Sequence, residues 1–144
     1  ASIGVDTGKW FCEMKAEDIT ATGNTRIGVL DMDYTGTGNP ADQSSSVSYL
    51  ADGQKRVGGS NSSYGASYTS GDIIGVALDV TNNTVTFYKN GASQGSISIT
   101  ANTLYTFYCE DYASSGNKVI SANFSSPAYS VSSGNSDGSD YGNF

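Results

Sequence analysis

Apolar and polar residues alternate in short runs along the chain, and this spacing predicts β-strands rather than helices. In the clearest passage, residues 72–99, the alternating apolar residues are Ile74, Val76, Leu78, Val80, Val85, Phe87, Ile97 and Ile99. Asn82-Asn83 and Asn90-Gly91 interrupt the alternation, and both dipeptides tolerate the positive φ that two-residue hairpin turns require. The passage therefore predicts a three-stranded antiparallel meander.

Further strands are predicted on both sides of this meander, over residues 9–16, 26–32, 47–51, 104–110 and 118–124. Residues 33–46 are polar and predict a long loop, while residues 57–71 predict a loop with a short edge strand near 64–68. About eight short strands with hairpin turns predict an all-β fold, a two-sheet antiparallel β-sandwich. Within the first strand, we expect Trp10 to lie in the core.

Composition supports this fold class and narrows the chemistry. The chain of 144 residues holds 18 Gly and ten Tyr, a profile typical of many strands joined by polar turns. A net charge of −7 argues against nucleic-acid binding, because an acidic surface repels phosphates. No stretch resembles a membrane span, so we expect a soluble chain without membrane insertion. The absence of histidine removes Ser-His-Asp and Cys-His nucleophilic systems and histidine metal sites.

The chain ends and the cysteines complete the predicted domain organisation. Residues 1–124 are expected to form the sandwich, and the Ser-, Gly- and Asn-rich residues 125–144 an extended arm that partly packs on it. Because the sequence starts at Ala1 without Met, we expect it to be processed or excised from something longer. Cys12 and Cys109 lie in two separate predicted strands, where two buried thiols are favoured but one disulfide is also possible.

Several motifs resemble the SPRY domain family. Residues 8–13, GKWFCE, resemble the family's opening motif, and residues 71–79, GDIIGVALD, with 84–91, TVTFYKNG, resemble its central block. This resemblance implies a concanavalin-like sandwich of two curved antiparallel sheets that recognises a partner through loops at one end. The ending, with Asn123-Phe124 and residues 136–144, is similar to SPRY modules of bacteriophage tail and virion proteins, which implies a location in the phage particle.

Catalysis and metal binding find little support in the residue pattern. Glycoside hydrolysis needs two carboxylates across a cleft. The chain has only three Glu, and Glu110 alone is placed where it could sit at a rim. Asp31 and Asp33 lie on the same face of a predicted strand, yet their spacing fits no dedicated calcium loop. We therefore expect no enzyme activity, no cofactor and no metal.

Binding is the predicted role, through loops formed by residues 33–46, 54–68 and 110–116. The candidate binding residues in or beside these loops are Tyr34, Arg56, Tyr64, Tyr68, Asp111 and Tyr112. Tyrosine provides a large rigid contact area with a polar tip, which suits a protein or a sugar ligand. Tyr49, in contrast, is expected in the core.

The predicted function is that of a non-catalytic recognition or structural module of a phage virion. Its partner would be a host surface glycan or protein, or a neighbouring virion protein. One alternative is a cellular SPRY adaptor that binds a short peptide of another protein, and a second is a carbohydrate-binding or carbohydrate-active sandwich. The sequence assigns no oligomeric state.

Overall fold

Ten β-strands form two antiparallel sheets in the computed structural model, which describes residues 3–19, 23–112 and 118–124. The strands are β1 Lys9–Asp18, β2 Thr25–Asp31, β3 Val47–Leu50, β4 Gln54–Val57, β5 Ser60–Ser63, β6 Ile73–Asp79, β7 Thr84–Lys89, β8 Ala92–Ser98, β9 Tyr105–Asp111 and β10 Val119–Asn123. The first sheet has the order β10-β1-β6-β7-β8, and the second has the order β5-β4-β3-β2-β9. The predicted all-β sandwich is confirmed. The predicted arm, residues 125–144, lies outside the described residues.

The hairpins of the first sheet test the two predicted turns. Between β7 and β8, Asn90 has φ 48° and Gly91 has φ 81°, so this two-residue turn is confirmed. The connection between β6 and β7 is four residues long, and of these Asn83 alone has a positive φ, at 54°. The Asp79 carboxylate accepts hydrogen bonds from the Asn82 backbone and side-chain amides at 2.9 and 2.7 Å, which stabilises the wider turn. The two-residue turn predicted there is wrong.

The strands β4 and β5 are missed by the sequence pattern. Both lie in a stretch predicted mainly as loop, and β5 consists of Ser and Asn alone. They extend the second sheet beyond β3, with Val57 opposite Val47 and Asn61 opposite Arg56. Strands near a sheet edge need few apolar side chains, because much of their surface stays in water. The edge strand predicted near 64–68 is wrong, since those residues connect β5 to β6.

The core lies between the inner faces of the two sheets. Tyr49 is fully buried, as expected, and its ring centroid lies 5.1 Å from that of Tyr68 and 5.7 Å from that of Phe87. Trp10 is 44% exposed, so its predicted core position is wrong. Its side chain lines a surface groove rather than the packed interior.

Both cysteines are free thiols, which agrees with the favoured alternative to a disulfide. Cys12 is buried on the inner face of β1, where burial raises the pKa of its thiol well above the usual range. Cys109 is exposed on β9. The prediction of two buried thiols is therefore wrong for Cys109, which lies on the edge strand of the second sheet.

Strand register divides the predicted binding loops between two ends of the sandwich. Asp31 pairs with Tyr105, so the loop of residues 32–46 leaves the sheet at one end, which we name the first end. Thr25 pairs with Asp111, so the last residues of β9 lie at the opposite end, the second end. Loops that were expected to act together at one end therefore lie on opposite sides of the molecule.

Candidate binding surface

The six residues predicted to bind do not form one surface. Four of them lie at the second end: Tyr64, Tyr68, Asp111 and Tyr112. Tyr34 lies in the loop of residues 32–46 at the first end. Arg56 lies within β4, on the outer face of the second sheet. Each residue therefore has to be assessed from its own contacts.

Tyr68 and Tyr64 connect parts of the fold. Tyr68 is 1% exposed, and its hydroxyl lies 3.1 Å from the carbonyl oxygen of Tyr49, so it occupies the core instead of the predicted loop surface. The Tyr64 ring lies 6.0 Å from the Phe87 ring, and its hydroxyl donates to the carbonyl of Gly95. Both side chains thus stabilise the packing of one sheet on the other, and we leave Tyr68 out of the candidate surface.

The remaining tyrosines differ in how free their rings are. Tyr34 closes its own loop, because its hydroxyl donates to the Gly38 carbonyl at 3.0 Å and accepts from the Gly38 amide at 2.8 Å. Asp111 is held by the Thr25 hydroxyl, which donates to its carboxylate at 2.5 Å. Tyr112 is 70% exposed. Among the six predicted residues, Tyr112 therefore presents the ring most available to a partner.

One row of residues crosses the outer face of the second sheet, from β9 to β5. In order, the register gives Tyr108, Gly28, Ser48, Arg56 and Asn61. Side chains alternate between the two faces of a sheet, and Ile27 and Val29, on either side of Gly28, are buried on the inner face. The row therefore lies on the outer face. Gly28 is required at the centre, since a Cβ there would lie only 2.7 Å from the Cα of Ser48. The close approach of β2 and β3 thus leaves the middle of the row without a side chain.

The two arginines on this face form ion pairs whose acidic partners differ in exposure. Arg26 donates to the Glu110 carboxylate at 2.7 Å, and both side chains are largely buried, at 10% and 19% exposure. Arg56 donates to the Asp42 carboxylate at 2.9 Å and to the side-chain oxygen of Asn61 at 2.6 Å. The Asp42 side chain is 48% exposed. The Arg56 side chain is only 19% exposed, so of the two partners it is the solvent-exposed Asp42 carboxylate that another carboxylate can replace.

Two hydroxyls beside these arginines lack hydrogen-bond partners. The side-chain oxygens of Ser48 and Tyr108 are buried and lie close to each other, but neither makes a hydrogen bond of standard geometry with the part of the protein that the structure describes. Burial raises the pKa of Tyr108 to about 12, although the nearby Ser48 hydroxyl acts in the opposite direction. A buried hydroxyl without a partner costs about 1–3 kcal/mol, which a hydrogen-bonding ligand would recover if it displaces the side chains that cover the oxygen. We name Arg26, Ser48, Arg56, Tyr108 and Glu110 the polar patch.

Among the residues of the polar patch, sequence reasoning named Arg56 as a candidate binding residue and Glu110 only as an acid at a possible rim. Two signals for the others were present in the chain. Arg26 is the other of its two arginines, and Gly28 is a glycine inside an apolar strand, which indicates a close backbone approach. Ser48 and Tyr108 carry no such signal, because strand register alone brings them onto the same face.

Catalysis and metal binding gain no site within the described ranges. No group of three or more Cys, Asp or Glu residues lies there in a position to hold a metal ion. Asp31 ends β2, and its carboxylate accepts a hydrogen bond from the Asp33 amide at 3.0 Å, so these two acids form a turn and not the predicted strand face. Glu110 is engaged by Arg26. In the same ranges, no helix has the length and apolar character needed to cross a membrane.

Comparison with known proteins agrees with this architecture. The family model described as SPRY domain matches residues 9–127. The crystal structure of the SPRY domain of human HERC1 is similar with a TM-score of 0.71 and 25% identity, over 85% of this chain and 78% of that one. A further human SPRY domain structure gives a TM-score of 0.62 at 18% identity, over 87% and 84% of the two chains, and supports the fold alone. A comparison with curated protein sequences finds no match.

The family match covers every strand of both sheets, from β1 to β10. It also includes the motifs at residues 71–79 and 84–91, so the family resemblance inferred from them is confirmed. On this evidence the chain belongs to the SPRY domain family.

Proposed function

We propose that this SPRY domain binds a short segment of a partner protein at the polar patch. SPRY domains are generally protein–protein interaction modules without catalytic activity. The observation that carries the proposal is the pair of buried hydroxyls on Ser48 and Tyr108, which lie beside two arginines and have no hydrogen-bond partner among the described residues. Such a surface favours a partner that brings hydrogen-bonding groups of its own.

The chemistry of the patch favours a peptide that carries a carboxylate or amide side chain. Arg56 offers a planar fork of N–H donors once it leaves the exposed Asp42, and Tyr108 offers a hydroxyl. By alternation along the strand, Tyr112 follows Tyr108 and Glu110 on the same face, so its exposed ring provides an apolar contact at the rim. Because these groups lie on paired strands, they lose little conformational entropy when a ligand binds.

Selection from a library of random twelve-residue peptides tests this proposal. We expect the wild-type domain to enrich peptides that contain Asp, Glu or Asn, and the variant Arg56→Ala,Tyr108→Phe to lose this enrichment. The control is Ser96→Ala, an exposed position on β8 of the other sheet, which should select the same peptides as the wild type. Equal selection by the wild type and the patch variant would rule out the polar patch as the binding surface.

The biological setting belongs to the proposal as well. A module of a phage virion, as expected from the C-terminal sequence, has no support in these comparisons, and a cellular adaptor that binds a short peptide fits the surface as well. The cellular setting requires a protein partner, whereas the phage setting also allows a host glycan. A glycan array distinguishes the predicted glycan ligand: binding that Tyr112→Ala abolishes and Arg56→Ala leaves intact would favour the glycan and place it at the rim.

A further inference from the structure

An apolar groove opens at the first end of the sandwich, away from the polar patch. It encloses about 460 Å³ and is lined by Ile3, Val5, Trp10, Phe11, Thr106, Phe107 and Phe124. Ile3 is 73% exposed and Phe124 is 61% exposed, while Trp10 is exposed by nearly half. Large apolar side chains gain free energy when they leave water, so a domain rarely exposes several of them together. Three such residues around one groove therefore indicate an interaction surface.

The walls of this apolar groove are held in place before any partner binds. The Trp10 indole N–H donates to the Thr7 carbonyl at 2.7 Å, which satisfies its polar edge and fixes the ring. The Phe107 and Phe124 rings meet edge to face, with centroids 6.0 Å apart. Val5 is bridged to Tyr105 by two backbone hydrogen bonds of 2.8 Å. A ligand therefore meets a formed apolar surface and orders little of it on binding.

Three acidic residues lie near the segments that line the apolar groove, by chain adjacency or by strand register. Asp6 follows Val5, and Asp31 lies opposite Tyr105, the same residue that is bridged to Val5. Asp33 is exposed two residues further along the chain. Within the described ranges, none of these three carboxylates forms an ion pair, whereas Lys9 nearby is engaged by Asp79. The net charge of −7 adds to this field, so the groove attracts cations over a distance of about a Debye length.

We propose that the apolar groove binds a segment of a partner protein in which an apolar side chain is flanked by lysine or arginine. The apolar side chain would fill the space between Trp10 and Phe124, and the basic residues would lie next to Asp6 and Asp33. The exposed faces of the two aromatic rings add cation–π contacts with the same basic residues. This surface is separate from the polar patch and does not rest on the function proposed for it.

The chain's single tryptophan makes the test direct, because Trp10 lies in the groove and its fluorescence reports contact. The probes are the blocked peptides Lys-Leu-Lys-Leu-Lys, Lys-Ser-Lys-Ser-Lys and Glu-Leu-Glu-Leu-Glu, titrated into the full chain. We expect a saturable change in Trp10 emission with the first peptide alone. Its affinity should fall about tenfold for Phe124→Ser, because an apolar contact is lost. It should also fall in 0.5 M salt and for Asp33→Asn.

A matched control is Val119→Ser, which removes an apolar side chain that is 48% exposed at the second end and should leave the affinity unchanged. Equal binding of all three peptides, or an affinity that Phe124→Ser leaves intact, would overturn the proposal. Two other occupants of the groove would give distinct results.

A concentration-dependent change in Trp10 emission without peptide would assign the groove to a second copy. A change on removal of residues 125–144 would assign it to that segment, and either result contradicts the proposal.

Discussion

The polar patch and the apolar groove belong to one sandwich but differ in how their side chains are held. In the polar patch, strand interiors carry the functional groups, and the ion pair between Arg26 and Glu110 fixes them on the outer face. In the apolar groove, the aromatic side chains lie near the start of β1 and beyond the end of β10, and Trp10 and Phe124 remain exposed. The comparison shows that changes in the patch should affect folding and binding together, whereas changes in the groove should affect binding alone.

The largest expected effect is that of Arg26→Ala. It leaves the largely buried Glu110 carboxylate without its cation, and removal of one partner from a buried ion pair costs about 3 kcal/mol or more. Urea denaturation measures the loss. Lys15→Ala is the control, because its ion pair with Glu17 is more exposed, and should destabilise the protein much less than Arg26→Ala does. Equal losses in the two variants would show that burial does not distinguish these pairs.

Gly28→Ala should destabilise the protein by about 2 kcal/mol, because the added Cβ meets the backbone of β3, which cannot move aside without breaking the sheet. Thermal unfolding followed by circular dichroism measures this effect. In Gly38→Ala the added Cβ would lie 3.4 Å from the Tyr34 hydroxyl, a side-chain tip in a loop, so this control should change stability little. A neutral Gly28→Ala would contradict the close approach of β2 and β3.

Ser48→Ala should change the free energy of unfolding in the opposite direction. Removal of a buried hydroxyl without a partner should stabilise the fold by about 1 kcal/mol and weaken the binding of peptides selected by the polar patch. Ser46→Ala is the contrasting variant, since the Ser46 hydroxyl donates to the Ala41 carbonyl at 2.8 Å and its loss should destabilise. Denaturation in urea gives both values. A destabilised Ser48→Ala would mean that this hydroxyl supports the native fold.

The smallest expected effect on stability is that of Phe124→Ser in the apolar groove. The side chain is mostly exposed, so the free energy of unfolding should change by less than about 0.5 kcal/mol while binding of the basic peptide falls. Phe87→Ala, in the core, should cost about 3–5 kcal/mol and provides the reference for a buried ring. A large loss for Phe124→Ser would show that the groove is part of the core and not a binding surface.

The predictions made from the sequence succeeded where a signal was local. The alternation in β7 and the Asn90-Gly91 turn predict the hairpin of β7 and β8 without help from distant residues, because strand period and positive φ are properties of a few neighbouring residues. They failed at β5, whose Ser and Asn residues pair with β4 because that strand offers an open edge. Whether a strand lies at an edge is decided by the whole sheet, so the strand's own sequence need not show an alternation of apolar and polar residues.

The candidate site was predicted less well than the fold. Arg56 was identified from its residue type, and Tyr112 was correctly placed beside the end of a strand, but their roles stay predictions. Tyr68 was placed at a surface because its neighbours are polar, yet its ring packs in the core. A tyrosine in a polar segment can face either way, and only its packing against Tyr49 of β3, with its hydroxyl bonded to the Thr25 and Tyr49 carbonyls, decides which.

The sequence by itself determined the all-β class, the hairpin of β7 and β8 and the family, since each depends on residue order over short distances. The tertiary structure decided which side chains share a face and which remain exposed. Ser48 and Tyr108 meet because β2 stands between their strands with a glycine at that register. Trp10 is exposed because its part of β1 lines a groove at the end of the sandwich. Strand register and the packing of one sheet on the other depend on residues that are far apart in the sequence, so no local pattern encodes them.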